Sequence, residues 1–361
     1  MAIEQIVHGK LPGAVFDFSF YNGAQYHCCV LKASFHIHAD GELQLIDDQP
    51  GLVFGDQYDL SVPPKDEEVY MTSRDLLYAS DLIPYKPVTD VLVVGSAQAP
   101  GGKPLDQWLA TVRLGSVNKI VRLTGPRHWQ RKTLGGWQLT NPEPVAAVPL
   151  LYSRAYGGRL RPEVEYADLK PTELDVRNPY GRGFEAGHGG RQDRYPAPQI
   201  EYPDSLANND PLRQIKVAGL SPIPGHFWDR LKLSGTYDAQ WEAQVKPNIP
   251  LDMDLRYWNN APEDQQIAPY LRGDEALHLD GLFATGPVDI TLPNLIAWAQ
   301  VDDVHGKQQV ERMVLDTVTV DLDKRQLNLR WGFTTPWADD IRRISLHCPR
   351  QDDWYAKQGG A

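Results

Sequence analysis

The stretch Thr317-Val318-Thr319-Val320-Asp321-Leu322, the charged Asp323-Lys324-Arg325, and the return Gln326-Leu327-Asn328-Leu329-Arg330-Trp331-Gly332-Phe333 decide the fold class. Val318, Val320 and Leu322 alternate with Thr317, Thr319 and Asp321, and Leu327, Leu329, Trp331 and Phe333 alternate on the way back. A strand sends successive side chains to opposite faces, so a two-residue period on both sides of a polar turn predicts a β-hairpin. The pattern recurs from Tyr26 to His38, where Cys29, Leu31, Ala33, Phe35 and Ile37 share one face and Lys32, Ser34, His36 and His38 the other, predicting a half-buried strand. Asp40-Gly41 supplies a turn before Leu43 and Leu45 resume the alternation. A further hairpin is expected where Trp108 to Leu114 and Lys119 to Thr124 flank Gly115-Ser116-Val117-Asn118.

Composition agrees with short strands. Twenty-nine prolines, thirty glycines and ten tryptophans among 361 residues suit turns and packed sheets better than long helices, because proline removes a donor and glycine costs helix entropy. The expected fold is therefore mainly β, a β-rich α+β chain of antiparallel sheets in one or two packed lobes, with few short helices and long loops. As a single domain of 1–361 it would divide into an amino-terminal β lobe at 1–160, a loop-rich segment at 161–224 and a carboxy-terminal β lobe at 225–361. The spacing predicts one helix over Tyr237 to Val245, capped by Thr236, and a shorter one near Pro262 to Ile267. From Arg161 to Pro224 periodicity dissolves into Pro, Gly, Asn, Asp and Arg, and a loop of that length is a candidate partner-contact segment.

A formal charge of -11 repels phosphate backbones, yet it is unevenly spread. Between Asp106 and Glu143 there is no acidic residue, while Arg113, Lys119, Arg122, Arg127, Arg131 and Lys132 fall inside; Trp241 to Asp280 is strongly acidic. The two segments are expected first to pair internally, and next to offer a docking surface in which Trp129 and Trp137 join the cations; stacking on nucleic acid ranks last. Cys28, Cys29 and Cys348 give no disulfide framework, no apolar run approaches a membrane span, and the start lacks a secretory signal, so the expected compartment is the cytoplasm. His36 and His38 share a strand face without a third ligand, Ala99 to Pro104 departs from a phosphate loop, and no Gly-x-Ser-x-Gly occurs. No catalytic residue, metal or cofactor is expected.

Several segments, in order, resemble the domain-of-unknown-function family 2169. They include Ser80-Asp81-Leu82-Ile83-Pro84-Tyr85-Lys86-Pro87-Val88-Thr89-Asp90-Val91-Leu92-Val93-Val94-Gly95, Gly125-Pro126-Arg127-His128-Trp129, Asn178-Pro179-Tyr180-Gly181-Arg182-Gly183 and Leu315-Asp316-Thr317. The match also takes in Pro149 to Gly158 and Arg256 to Gln266. The resemblance implies an adaptor or chaperone of bacterial type VI secretion, one that holds a secreted effector, often by its PAAR-like part, and helps load it onto the VgrG spike. Pro84 and Pro87 should stiffen a strap around Tyr85-Lys86 ahead of a buried strand at Val91 to Val94. Tyr85, Lys86, Arg113, Arg122, Arg127, Trp129, Arg131 and Lys132 are the expected contact residues, and reversing Arg127 and Arg131 to Glu should weaken effector capture without unfolding. The rival classes are a metal-dependent hydrolase using His36 and His38, and a nucleic-acid-binding accessory protein.

Overall fold

The computed structural model describes residues 3–20, 23–59, 75–161, 164 and 168–348. Met1-Ala2, with which the expected cytoplasmic start begins, and part of the 161–224 segment lie outside these residues.

The hairpin that opens the sequence argument sits in the middle of a seven-stranded sheet. Val314–Asp321 pairs antiparallel with Gln326–Pro336, Val318 opposite Leu329 and Val320 opposite Leu327. Across the sheet the order is Gln266–Ile267, Thr89–Val94, Val314–Asp321, Gln326–Pro336, Gln25–Ile37 and Gly13–Ser19, with Leu43–Leu45 added beside Gln25–Ile37. Residues from both expected lobes therefore build one sheet. Within this sheet one pairing departs from the antiparallel rule, Thr89–Val94 lying parallel to Val314–Asp321. Parallel neighbours need only a long connection, and here more than two hundred residues intervene. Elsewhere Glu4–Val7 is parallel to Ile341–His347 and Tyr156–Gly157 to Arg182–Gly183.

A five-stranded sheet holds the second expected hairpin, Gln107–Leu114 with Val117–Thr124, flanked by Ile200–Glu201 on one side and by Ala276–Asp280 and Val288–Thr291 on the other. Its turn is shorter than expected. Val117 is buried and pairs with Leu114, which leaves Gly115-Ser116 to make the corner, with Gly115 at φ +55. A four-stranded sheet runs Glu4–Val7, Ile341–His347, Trp298–Asp303, Gln308–Arg312. These three sheets share one apolar core, to which Phe35, Val91, Val112, Leu277, Val318 and Ile344 belong.

Gln25–Ile37 is buried on both faces, correcting the half-buried reading. Its polar face finds partners inside: Lys32 Nζ lies 2.8 Å from Asp81 Oδ2, and Ser34 Oγ donates to Asn328 Oδ1 at 2.7 Å. Alternation in the sequence cannot separate a wet face from a face covered by paired polar groups. The expected helix forms at Ala239–Gln244, but Asp238 caps it, accepting from Trp241 N. Thr236 instead donates to Asp252 Oδ2 at 2.7 Å. The second becomes a 3-10 turn at Glu263–Gln265. Among the described residues no helix is long and apolar enough to cross a membrane.

Candidate functional site

The expected contact residues separate into three places. On the strap, Tyr85 is 37% exposed, whereas Lys86 is buried, its Nζ 2.8 Å from Asp90 Oδ2 and 2.9 Å from Thr317 Oγ1. Arg113 is exposed on the five-stranded sheet, opposite Asn118 and His278. Arg122 is on the five-stranded sheet too, and Arg127, Trp129, Arg131 and Lys132 lie in or next to a small sheet built from His128–Arg131, Trp137–Leu139 and Arg194–Pro196.

Arg122 and Arg127 are occupied by one buried carboxylate. Arg122 Nη2 donates to Glu201 Oε2 at 3.0 Å, and Arg127 donates to the same oxygen. Glu201 is fully buried because its strand lies beside Val117–Thr124 with Glu201 opposite Arg122. Burial pushes the Arg127 guanidinium below its ordinary value, against the pull of Glu201. Reversing Arg127 to Glu would set two carboxylates together in the interior, so that half of the expected charge reversal probes folding instead of a surface. The basic stretch and the acidic Trp241 to Asp280 segment meet at one described ion pair, Lys119 Nζ to Asp264 Oδ1 at 2.7 Å. Arg122, Arg127 and Arg131 find their carboxylates in the 161–224 segment instead.

Trp129 anchors the hairpin. Its side chain has no exposed surface, packs with Tyr156, Tyr195 and Ile215, and donates from Nε1 to Asn208 O at 2.8 Å. Gly183, at φ +102, lies directly under the ring, where a Cβ would overlap ring carbon Cζ3. The chain then leaves the protein body. Arg131 pairs with Trp137 across the ladder, and its guanidinium covers the Trp137 ring at 4.6 Å. The turn 132–136 is closed by Lys132 N to Gly136 O and Gly135 N to Lys132 O, both 3.0 Å, with Gly135 and Gly136 in left-handed backbone that glycine alone adopts at no steric cost. At its tip Leu134 is 100% exposed.

Around that tip the charge is positive. Arg131, Lys132, Arg191 and Arg194 are all exposed, against Asp193, whose carboxylate lies 3.6 Å from Arg131 Nε. Both members of that pair are well exposed, and such contacts contribute little. Arg194 also reaches His128 Nδ1 at 3.0 Å; burial first, then the Arg194 charge, lowers the His128 pKa. A basic, apolar-tipped hairpin of this kind can bind an acidic surface carrying an apolar socket.

Leu134, Arg191 and Arg194 escaped sequence reading. A leucine between Lys132-Thr133 and Gly135-Gly136 has no periodic partner, and the two arginines lie in the segment read as loop, which lends this sheet its third strand. The only available hint was an isolated apolar residue in a glycine turn between cations.

Other reactive candidates are placed elsewhere. Burial pushes the Cys28 thiol up to about 12 and raises Cys29 also, so neither is a thiolate near neutral pH. His38 Nε2 lies 3.1 Å from Gln44 Oε1, and among the described residues no group of three His, Cys, Asp or Glu is placed to hold a metal. Lys119 is buried against Asp264 and the Tyr202 hydroxyl, and burial lowers its pKa to about 8. Its folded value thus lies below the unfolded one near 10.4, so the unfolded chain binds more protons between them and stability rises with pH across that window. The stability of wild type relative to Lys119→Met should therefore improve by about 1 kcal/mol between about pH 7 and pH 9 in urea unfolding. A pH-independent difference would contradict this.

Compared with known proteins, residues 22–332 match the family model described as an uncharacterized protein conserved in bacteria (DUF2169). No curated protein and no solved structure matches the chain.

Proposed function

The chain belongs to the DUF2169 family, and from that premise we propose that it is an adaptor that holds a second polypeptide by the hairpin 128–139. The resemblance described above supplies the setting: a type VI secretion effector, gripped at or near its PAAR-like part and brought to the VgrG spike. The observation that carries the reading is Leu134, fully exposed at the end of a basic hairpin whose base is locked by Trp129.

Burying one leucine on docking contributes about 2 kcal/mol. The anchored base reduces the ordering cost of binding. Arg131, Lys132, Arg191 and Arg194 would steer an acidic partner toward the tip in spite of the chain's negative total. Arg131 already lies over the Trp137 ring, which disfavours base stacking there and favours a protein partner. Arg113, on another sheet, and Tyr85, on the strap, are secondary contacts in this reading.

The test is binding of purified protein to a PAAR-like type VI effector, by calorimetry. Leu134→Asp should weaken binding about 10-fold or more, as expected for loss of an apolar anchor. Arg131→Glu with Lys132→Glu should slow association and flatten its salt dependence. Leu134 and Lys132 lie on the exposed turn and Arg131 is exposed at the end of its strand, so both variants should stay folded. Wild-type affinity in a variant that combines Leu134→Asp, Arg131→Glu and Lys132→Glu would sink the hairpin as the docking element.

A further inference from the structure

The four-stranded sheet ends on an open edge. Gln308–Arg312 pairs antiparallel with Trp298–Asp303, Val310 opposite Gln300, and among the described residues no strand lies on its other side. Two flanking bonds set which backbone groups face inward: Met313 N donates to Ala297 O, and Asp303 N to Lys307 O. Hydrogen-bonded pairs recur at every second residue of an antiparallel ladder, so Gln309 and Glu311 turn their N–H and C=O toward the inner strand. Those of Gln308, Val310 and Arg312 point outward, and among the described residues no backbone bond from strand or loop reaches them on that side.

Several protections of an edge are missing from this strand, although it is short and carries Glu311 and Arg312. It has no proline, no lysine and no bulge, and the register shift nearby lies on the neighbouring strand between Asp302 and Asp303. Its sequence is also complementary to itself. An antiparallel copy related by a two-fold axis through Val310 sets Val310 against Val310, Gln308 against Arg312 and Gln309 against Glu311, with no like charges opposed. Val310 is 45% exposed, so the central apolar pair is available.

We propose that this edge pairs with the same edge of a second copy, joining two four-stranded sheets into one continuous sheet across a two-fold dimer. Val310 exchanges two backbone bonds with its counterpart and each Gln308–Arg312 pair two more, about six in all. Five residues of edge make a small interface, so association should be weak and concentration-dependent.

The experiment is sedimentation velocity of the full chain from about 1 µM to about 500 µM, the regime of small interfaces. The mass should rise from 40.6 kDa toward twice that value. Val310→Pro deletes a donor that makes no bond within the chain, a change edge strands tolerate. Val310→Lys sets like charges opposite each other at the axis. Each should stay at 40.6 kDa throughout, with an unchanged circular dichroism spectrum. If Val310→Pro misfolds, Val310→Lys decides alone. The proposal is overturned by a wild-type chain that stays monomeric, or by a folded variant that associates as wild type does. A monomeric wild type whose effector binding is lost in Val310→Lys also overturns it, and assigns the edge to the partner's strand.

Discussion

Replacing Asp90 by Ala should lower stability by about 3–5 kcal/mol, the usual result of stripping one partner from a buried ion pair. Asp90 has no exposed surface. Its carboxylate takes Lys86 Nζ at 2.8 Å, Asn259 Nδ2 at 2.9 Å and Asn260 N at 2.9 Å. Without it, Lys86 keeps only Thr317 Oγ1, and a buried ammonium with one neutral acceptor is far costlier than a balanced pair. Domain stabilities are about 5–15 kcal/mol, so the loss consumes much of the total and the urea midpoint should fall steeply. The double change Lys86→Met with Asp90→Leu should restore only part of it, because it removes both charges and keeps the volume but leaves Asn260 N without its acceptor. A single Asp90→Ala variant within about 1 kcal/mol of wild type would show that Lys86 finds another partner or reaches water at little cost.

Gly183→Ala is the second large effect expected, about 2–6 kcal/mol, combining left-handed strain with overpacking against a fixed ring. Gly183 sits at φ +102, and its missing Cβ is the space that Trp129 fills. Trp129 cannot yield easily: it is wholly buried, and its Nε1 is committed to Asn208 O. Besides a lower urea midpoint, the variant should show altered near-ultraviolet dichroism and, if the proposed docking holds, weaker partner binding, since Trp129 anchors the hairpin. Adding Trp129→Phe should recover part of the stability by trimming the ring that the new methyl meets. Wild-type unfolding of Gly183→Ala would mean that the Gly183 turn and the Trp129 ring are not locked together.

Both predictions fall on segments that carry the family resemblance, and their role in the structure is architectural. Asn178 Nδ2 donates to Tyr152 O at 2.8 Å and Tyr156 O at 2.9 Å, tying two of those segments together. Gln265 Nε2 donates to Val91 O at 2.6 Å, tying two more. Arg330 pairs with Asp316 and donates to Asp81 O and Ile83 O, which fastens the start of the strap to the central hairpin. Leu134 and Lys132, where partner contact is proposed, lie outside the quoted segments. A scaffold of buried contacts thus carries a tip that none of those contacts constrains.

By itself the sequence determined the class of fold and its three hairpins, because alternation of apolar and polar residues is local and a strand must display it wherever one face meets the core. It also placed the buried strand after the strap and the stiff prolines before it. Tertiary structure alone decided which charges are buried. Lys86, Arg127 and Lys119 look like any surface cation in the chain, and only the arrival of Asp90, Glu201 and Asp264 from residues close or remote makes their burial tolerable. It likewise decided which apolar residue stays out. Leu134 has no period to betray it; its exposure follows from a glycine turn that carries it beyond the reach of any core, held there by a tryptophan whose socket is built from residues far along the chain. Pairing and burial are properties of the whole packed chain, and no local pattern encodes them.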